Sequence, residues 1–114
     1  MLFVCYPKCS TCKKAQTFLD TNGKCYTLRD IKLDNPTVDE LSRWQQLSGL
    51  PLKKFFNTSG LQYRALGLSA KLDGMTREEQ LELLASDGML VKRPLLVLED
   101  RVLVGFKEAE WQTI

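Results

Sequence analysis

The 114-residue sequence contains no histidine. This absence excludes a Cys–His catalytic dyad and mixed cysteine–histidine zinc sites, and it removes the most common general base. No apolar run is long enough to span a membrane, and Lys8 interrupts the amino-terminal one too early for a signal peptide. The net charge of +2 is too small to indicate nucleic-acid binding by itself. We therefore expect a cytoplasmic protein without membrane association or direct nucleic-acid contact.

The composition is that of a globular protein, with 44% hydrophobic and 26% charged residues. A chain of this length can bury a modest core without disulfide staples, so we expect one monomeric domain over residues 1–114. In a reducing cytosol, the four cysteines are more often catalytic, redox-sensing or metal-binding than structural.

Two of these cysteines, Cys9 and Cys12, form a Cys-x-x-Cys motif between a predicted strand over residues 2–6 and a predicted helix over residues 11–22. A helix amino terminus favours a thiolate, because free N–H groups and the peptide dipoles give it partial positive charge. Lysines on both sides of the motif, Lys13 among them, add to that charge. The pattern predicts Cys9 as the nucleophilic thiolate and Cys12 as the resolving thiol, joined in a redox-active disulfide. Inert thiols are one alternative, and a zinc site that recruits Cys5, Cys25 or carboxylates is another.

The order of the elements predicts the fold. A second strand over 25–28 completes a β-α-β unit, and capping boxes at Thr37–Glu40 and Thr76–Glu79 predict two helices. Two short helical turns are expected between residues 52 and 68. The runs 95–98 and 102–104 predict an antiparallel hairpin, and a last helix begins at Lys107. We expect an α/β protein of thioredoxin-like fold, with a four-stranded mixed sheet, flanking helices and a helical insertion over roughly residues 35–89.

The segment Lys92-Arg93-Pro94 stands directly before a predicted strand. In a thioredoxin-like order, this is the position of a cis-proline loop that faces the cysteine helix. Arg93 would then supply a fixed cation for an oxyanion or for the Cys9 thiolate. The alternative is an ordinary solvated basic pair. Cys5 and Cys25 each fall inside a predicted strand, where a free cysteine usually acts as a small buried hydrophobe.

Four motifs are spread along the whole chain: Tyr6-Pro7-Lys8-Cys9-Ser10-Thr11-Cys12-Lys13-Lys14-Ala15, Leu66-Gly67-Leu68, Leu90-Val91-Lys92-Arg93-Pro94-Leu95 and Val104-Gly105-Phe106. Together they resemble the family of glutaredoxin-coupled arsenate reductases and the redox regulator Spx. The segments 53–60 and 82–90 are similar to a largely uncharacterised arsenate reductase-like subgroup. The resemblance implies a reactive Cys9, a functional Arg93 before Pro94 in the cis form, and no bound cofactor.

The sequence also departs from the reductase pattern. Cys5 stands where the reductases have a histidine, and Asn57 and either Phe106 or Lys107 replace two of the three arginines that cradle the anion. Cys12 is instead similar to the second cysteine of Spx, whose paired thiols form a regulatory disulfide. The resemblance thus implies a thiol–disulfide redox protein that uses glutathione, glutaredoxin or thioredoxin as its reductant. The alternative is a redox-sensing regulator that binds the RNA polymerase α subunit as Spx does, and arsenate reduction is a less favoured third function.

Overall fold

Four short strands form one mixed sheet in the order β2–β1–β3–β4. A computed structural model describes all residues, 1–114. The strands are β1 (Leu2–Cys5), β2 (Thr27–Asp30), β3 (Leu95–Val97) and β4 (Val102–Val104). β1 pairs in parallel with β2 and antiparallel with β3, and β3 pairs antiparallel with β4. The predicted mixed sheet and its terminal hairpin are confirmed.

Six helices accompany the sheet: α1 (Ser10–Thr21), α2 (Val38–Ser48), α3 (Leu61–Ala65), α4 (Leu68–Lys71), α5 (Arg77–Ser86) and α6 (Glu108–Trp111). Both predicted capping boxes are present. The Thr37 and Thr76 side chains accept hydrogen bonds from the third helical N–H, and the backbone N–H of each threonine donates to the Glu side chain at that third position. Helices α2 to α5 and three 3₁₀ turns (Leu52–Phe55, Leu72–Gly74 and Gly88–Leu90) fill the stretch between β2 and β3, as the helical insertion requires. None of these helices combines the length and apolar character needed to cross a membrane.

The core has two halves, one on each face of the sheet. Alternation along the central strands separates them, since successive side chains of a strand point to opposite faces. Val4 and Leu95 pack with the helices of the insertion, whereas Phe3, Cys5 and Leu96 pack toward α1 and α6. The strand β1 is therefore buried on both faces and contributes side chains to both halves of the core.

The second strand begins two residues later than predicted. Thr27 is its first residue and pairs with Leu2, while the Thr27 N–H donates to the Met1 carbonyl. A strand over 25–28 would extend past the start of β1 and leave its first residues without pairing partners. Cys25 consequently lies outside the sheet and is exposed, so its predicted role as a buried hydrophobe is wrong.

Candidate functional site

Cys9 occupies the N-cap of α1, four residues after the end of β1. Its backbone is extended (φ −85°, ψ 125°), its N–H donates to the Tyr6 carbonyl at 2.9 Å, and its own carbonyl accepts the N–H of Lys13 at 3.1 Å. No acidic residue lies in the first turn of the helix. The Cys9 thiol is half-buried, so it is positioned at a positively polarised helix end and remains reachable from solvent.

Two further thiols, Cys12 and Cys5, lie behind Cys9. Cys12, only 2% exposed, makes hydrogen bonds to the thiols of both Cys9 and Cys5, and its sulfur accepts the N–H of Tyr6 at 3.3 Å. The hydrogen bond with Cys5 is the main cause that raises the pKa of Cys12 above its ordinary value, and burial adds to it. Cys12 is therefore a neutral thiol at pH 7, and the accessible Cys9 is the member of the pair that can meet a substrate first.

The third thiol, Cys5, was interpreted from the sequence only as a buried hydrophobe. It is indeed 2% exposed, but it also touches Cys12. The contact arises because Phe3 and Cys5 share the face of β1 on which α1 packs. The alternation of β1 was visible in the sequence, whereas the face of the strand that α1 covers was not.

Cys9 opens into a cavity of about 610 Å³. Asn57 and Arg93, both predicted as site residues, line the same cavity, although they come from the insertion and from the loop before β3. The rest of the lining is formed by Thr11, Ser59, Gly60, Leu61, Gln62, Met89, Lys92, Val104, Gly105, Phe106 and Lys107. No carboxylate lines the cavity, so its charged groups are all cations.

Arg93 is the central cation of this cavity. The peptide bond from Arg93 to Pro94 is cis, Pro94 is buried, and the guanidinium carbon lies 5.2 Å from the centre of the Tyr6 ring. Its Nε and Nη1 atoms are buried and have no hydrogen-bond partner. Buried guanidinium donors normally bind an acceptor, so the arrangement fits an anionic group next to Cys9.

The lysines near the site line two different cavities. Lys13, predicted to support the site, instead lines a neighbouring cavity beside α1, together with Lys14. Lys92 and Lys107 lie in the Cys9 cavity; Lys92 was not predicted as a site residue, and Lys107 was named only as one of two residues at a position where the reductases have an arginine. Lys92 could have been found from its place next to Arg93, but Lys107 reaches the cavity only because the chain turns back after β4.

The chain is similar to several known proteins. A family model described as the ArsC family matches residues 5–114. The uncharacterised protein YusI of Bacillus subtilis is 51% identical over 112 residues, which cover 98% of this chain and 95% of YusI. The regulatory protein MgsR of the same organism is 27% identical over 96% of this chain and 86% of its own. The global transcriptional regulator Spx of Staphylococcus saprophyticus is 25% identical over 91% of this chain and 78% of its own.

Solved structures extend the similarity. A protein from Bacteroides fragilis described as ArsC family related is 61% identical, with a TM-score of 0.96 over 98% of this chain and 94% of its own. A protein from Streptococcus mutans described as a possible arsenate reductase is 49% identical, with a TM-score of 0.90 over 98% of this chain and 95% of its own.

Proposed function

The chain belongs to the ArsC family, and within that family we propose that it is a cytosolic thiol–disulfide redox protein that works through Cys9 and Cys12. The observation that carries the proposal is the contact between an accessible thiol at a helix N-cap and a buried, neutral thiol one turn later. This arrangement supports different roles for the two cysteines, since one can meet the substrate and the other is held in reserve.

The proposed reaction has two exchange steps. The Cys9 thiolate attacks one sulfur of a substrate disulfide, which forms a mixed disulfide at Cys9 and releases the other half of the substrate as a thiolate. Cys12 then loses its proton and attacks the Cys9 sulfur, which forms the Cys9–Cys12 disulfide and releases the second half. The substrate gains two electrons and two protons, and the two cysteines lose them. Two molecules of glutathione, or one dithiol of glutaredoxin or thioredoxin, would restore the thiols.

Arg93 and Asn57 complete the proposed site. The unpartnered guanidinium donors of Arg93 would hold an anionic part of the substrate, such as a carboxylate, next to the reacting sulfur. Asn57 lines the same cavity and would offer a neutral amide to the same group. No bound cofactor is required, because the electrons pass only between sulfur atoms.

The experiment compares three reduced proteins, the wild type, Cys9→Ser and Cys12→Ser, against a disulfide of glutathione with a small thiol. We expect the wild type to release both thiols and form the Cys9–Cys12 disulfide, Cys12→Ser to retain a mixed disulfide at Cys9, and Cys9→Ser to be inactive. Cys25→Ser is the matched control, since its thiol is exposed but remote from the motif. Full turnover by Cys9→Ser, or equal alkylation rates for all four cysteines, would contradict the proposal.

A second function, redox-dependent regulation, is favoured by the similarity to Spx and MgsR over nearly the whole chain. In that case the disulfide would control binding to a partner, for which the RNA polymerase α subunit is the candidate. A pull-down of the purified α subunit with reduced and oxidised protein tests it. Binding that depends on the Cys9–Cys12 state, combined with no turnover, would replace the enzyme proposal.

Arsenate reduction is the weaker enzymatic alternative. Several similar structures carry that description, among them the Streptococcus mutans protein. However, Arg93 is the only arginine of the cavity, and its other cations, Lys92 and Lys107, are lysines that cannot supply the planar bidentate donors of the three arginines that the resemblance gives for the reductases. An arsenate arm in the same assay, with glutathione and glutaredoxin supplied, separates the two activities.

A further inference from the structure

A second, smaller cavity joins the Cys9 cavity and carries a concentration of positive charge. It measures about 320 Å³ and is lined by four lysines, Lys53, Lys54, Lys92 and Lys107, together with Leu50, Phe56, Thr58 and Val104. Lys92, Val104 and Lys107 line both cavities, so the two form one continuous surface that we call the basic groove. It leads from the 3₁₀ turn at Leu52–Phe55 to Cys9.

None of this charge is neutralised within the molecule. Neither cavity has an acidic residue in its lining, and the only ion pairs in the structure are those of Arg29. Four lysines and Arg93 share one face, although the whole chain has a net charge of only +2. Like charges that lie close together repel one another, and an anionic partner would relieve that repulsion and be steered toward the groove.

We propose that the basic groove docks an acidic segment of a protein substrate and thereby delivers a disulfide of that segment to Cys9. The inference rests on the proposed exchange reaction and names its substrate class. A polypeptide is favoured over a nucleic acid for two reasons. Only a polypeptide carries a disulfide for Cys9 to attack. The groove also lacks a row of open aromatic faces for stacking with bases, because Phe56 is 1% exposed and Phe106 is half-buried in a T-shaped contact with Trp111.

The test uses three peptides of equal length, each with a central cysteine joined by a disulfide to 2-thiopyridine. Glutamate flanks the cysteine in the first peptide, glutamine in the second and lysine in the third. We expect the reduced protein to react with the glutamate peptide about fivefold or more faster than with the glutamine peptide at low ionic strength, and slowest with the lysine peptide. High salt should remove most of the difference, because it screens exposed charges.

Two charge-matched double variants assign the effect to the groove. Lys53→Gln/Lys54→Gln should lose most of the preference for the glutamate peptide over the glutamine peptide. Lys32→Gln/Lys71→Gln removes the same charge from exposed positions outside both cavities and should keep the preference. Equal rates for the three peptides, or equal losses in both variants, would overturn the docking proposal and leave the exchange reaction standing.

A binding measurement separates docking from chemistry. Fluorescein-labelled peptides with serine in place of cysteine cannot react, and their anisotropy reports only association. Binding of the glutamate peptide that weakens in Lys53→Gln/Lys54→Gln supports the groove even if no peptide reacts, in which case the exchange reaction fails alone. Absence of peptide binding overturns the docking proposal. Tighter binding of a dT oligonucleotide than of the glutamate peptide, if it depends on the same lysines, overturns it as well.

Discussion

Replacing Glu40 by Gln should destabilise the protein in a pH-dependent way. Glu40 receives two hydrogen bonds from the Arg29 guanidinium, at 2.6 and 2.8 Å, and a third from the Thr37 N–H at 3.0 Å. Arg29 is only 13% exposed in its side chain and lies 5.7 Å from the centre of the Trp44 ring. The Gln variant can keep the capping contact, but it leaves the partly buried Arg29 cation with only its longer ion pair, at 3.4 Å, to the exposed carboxylate of Asp34.

The expected loss of stability follows from the pKa shift of the Glu40 carboxyl group. Arg29 is the main cause that lowers the pKa of Glu40 from 4.5 to about 2. At full value this difference corresponds to about 3 kcal/mol. Since 34% of the Glu40 side chain is exposed, solvent screening reduces the effect, and we expect a loss of about 1–2 kcal/mol at pH 7. The stabilisation is complete above pH 4.5 and disappears as the pH falls through about 2, because the depressed carboxyl group is then protonated in both states.

Urea unfolding at pH 7 and pH 3, followed by circular dichroism, measures this loss. Glu79→Gln is the matched control, because Glu79 occupies the same capping-box position in α5 and lacks an arginine partner. We expect Glu40→Gln to lose clearly more stability than the control at pH 7, and less than half of that difference to remain at pH 3. Equal losses in the two variants, or a difference that does not change with pH, would refute the assignment to Arg29.

Three further predictions concern the fold and the site. Gly88→Ala should destabilise the protein by about 3 kcal/mol in urea unfolding, because the added Cβ would collide with the Ile31 carbonyl oxygen. Gly74→Ala is the control, since no atom lies near its added Cβ, and equal effects of the two substitutions would contradict this prediction. Sulfate should protect Cys9 from alkylation by iodoacetamide, and Arg93→Gln should weaken this protection about tenfold, with Cys25 as the internal reference. Unchanged protection would refute an anion site. Cys5→Ala should lower the pKa of Cys12, because it removes the hydrogen bond that is the main cause raising that pKa. Attack of Cys12 on the mixed disulfide at Cys9 should then release the bound thiol about threefold or more faster at pH 7, and a slower release would contradict this.

Most elements of this fold could be predicted because their signals are local. The capping boxes at Thr37 and Thr76 lie within one turn of the helices they start, and the position of Cys9 follows from a short apolar run that ends at Pro7. The start of β2 was predicted wrongly because it depends on the register with Leu2, which is a contact between distant parts of the chain.

The candidate site was predictable only in part for the same reason. Cys9, Arg93 and Asn57 were predicted as site residues and line one cavity, and their proposed roles await the experiments above. The contact of Cys5 with Cys12 depends on which face of β1 is covered by α1. The basic groove depends on bringing the turn at Leu52–Phe55 next to the chain after β4. Neither arrangement leaves a pattern in a short window of sequence.

The Cys9 cavity draws its walls from four separate stretches of the chain, residues 9–11, 57–62, 89–93 and 104–107. No fragment of the protein contains it, so an occupant of this cavity binds the folded chain and not the unfolded one. Occupancy and folding are therefore linked thermodynamically: a ligand present at one hundred times its Kd adds about 2.7 kcal/mol to the free energy of unfolding. The melting temperature of the intact protein thus serves as a sensor of the cavity, and it can rank candidate ligands before any of them is known to react.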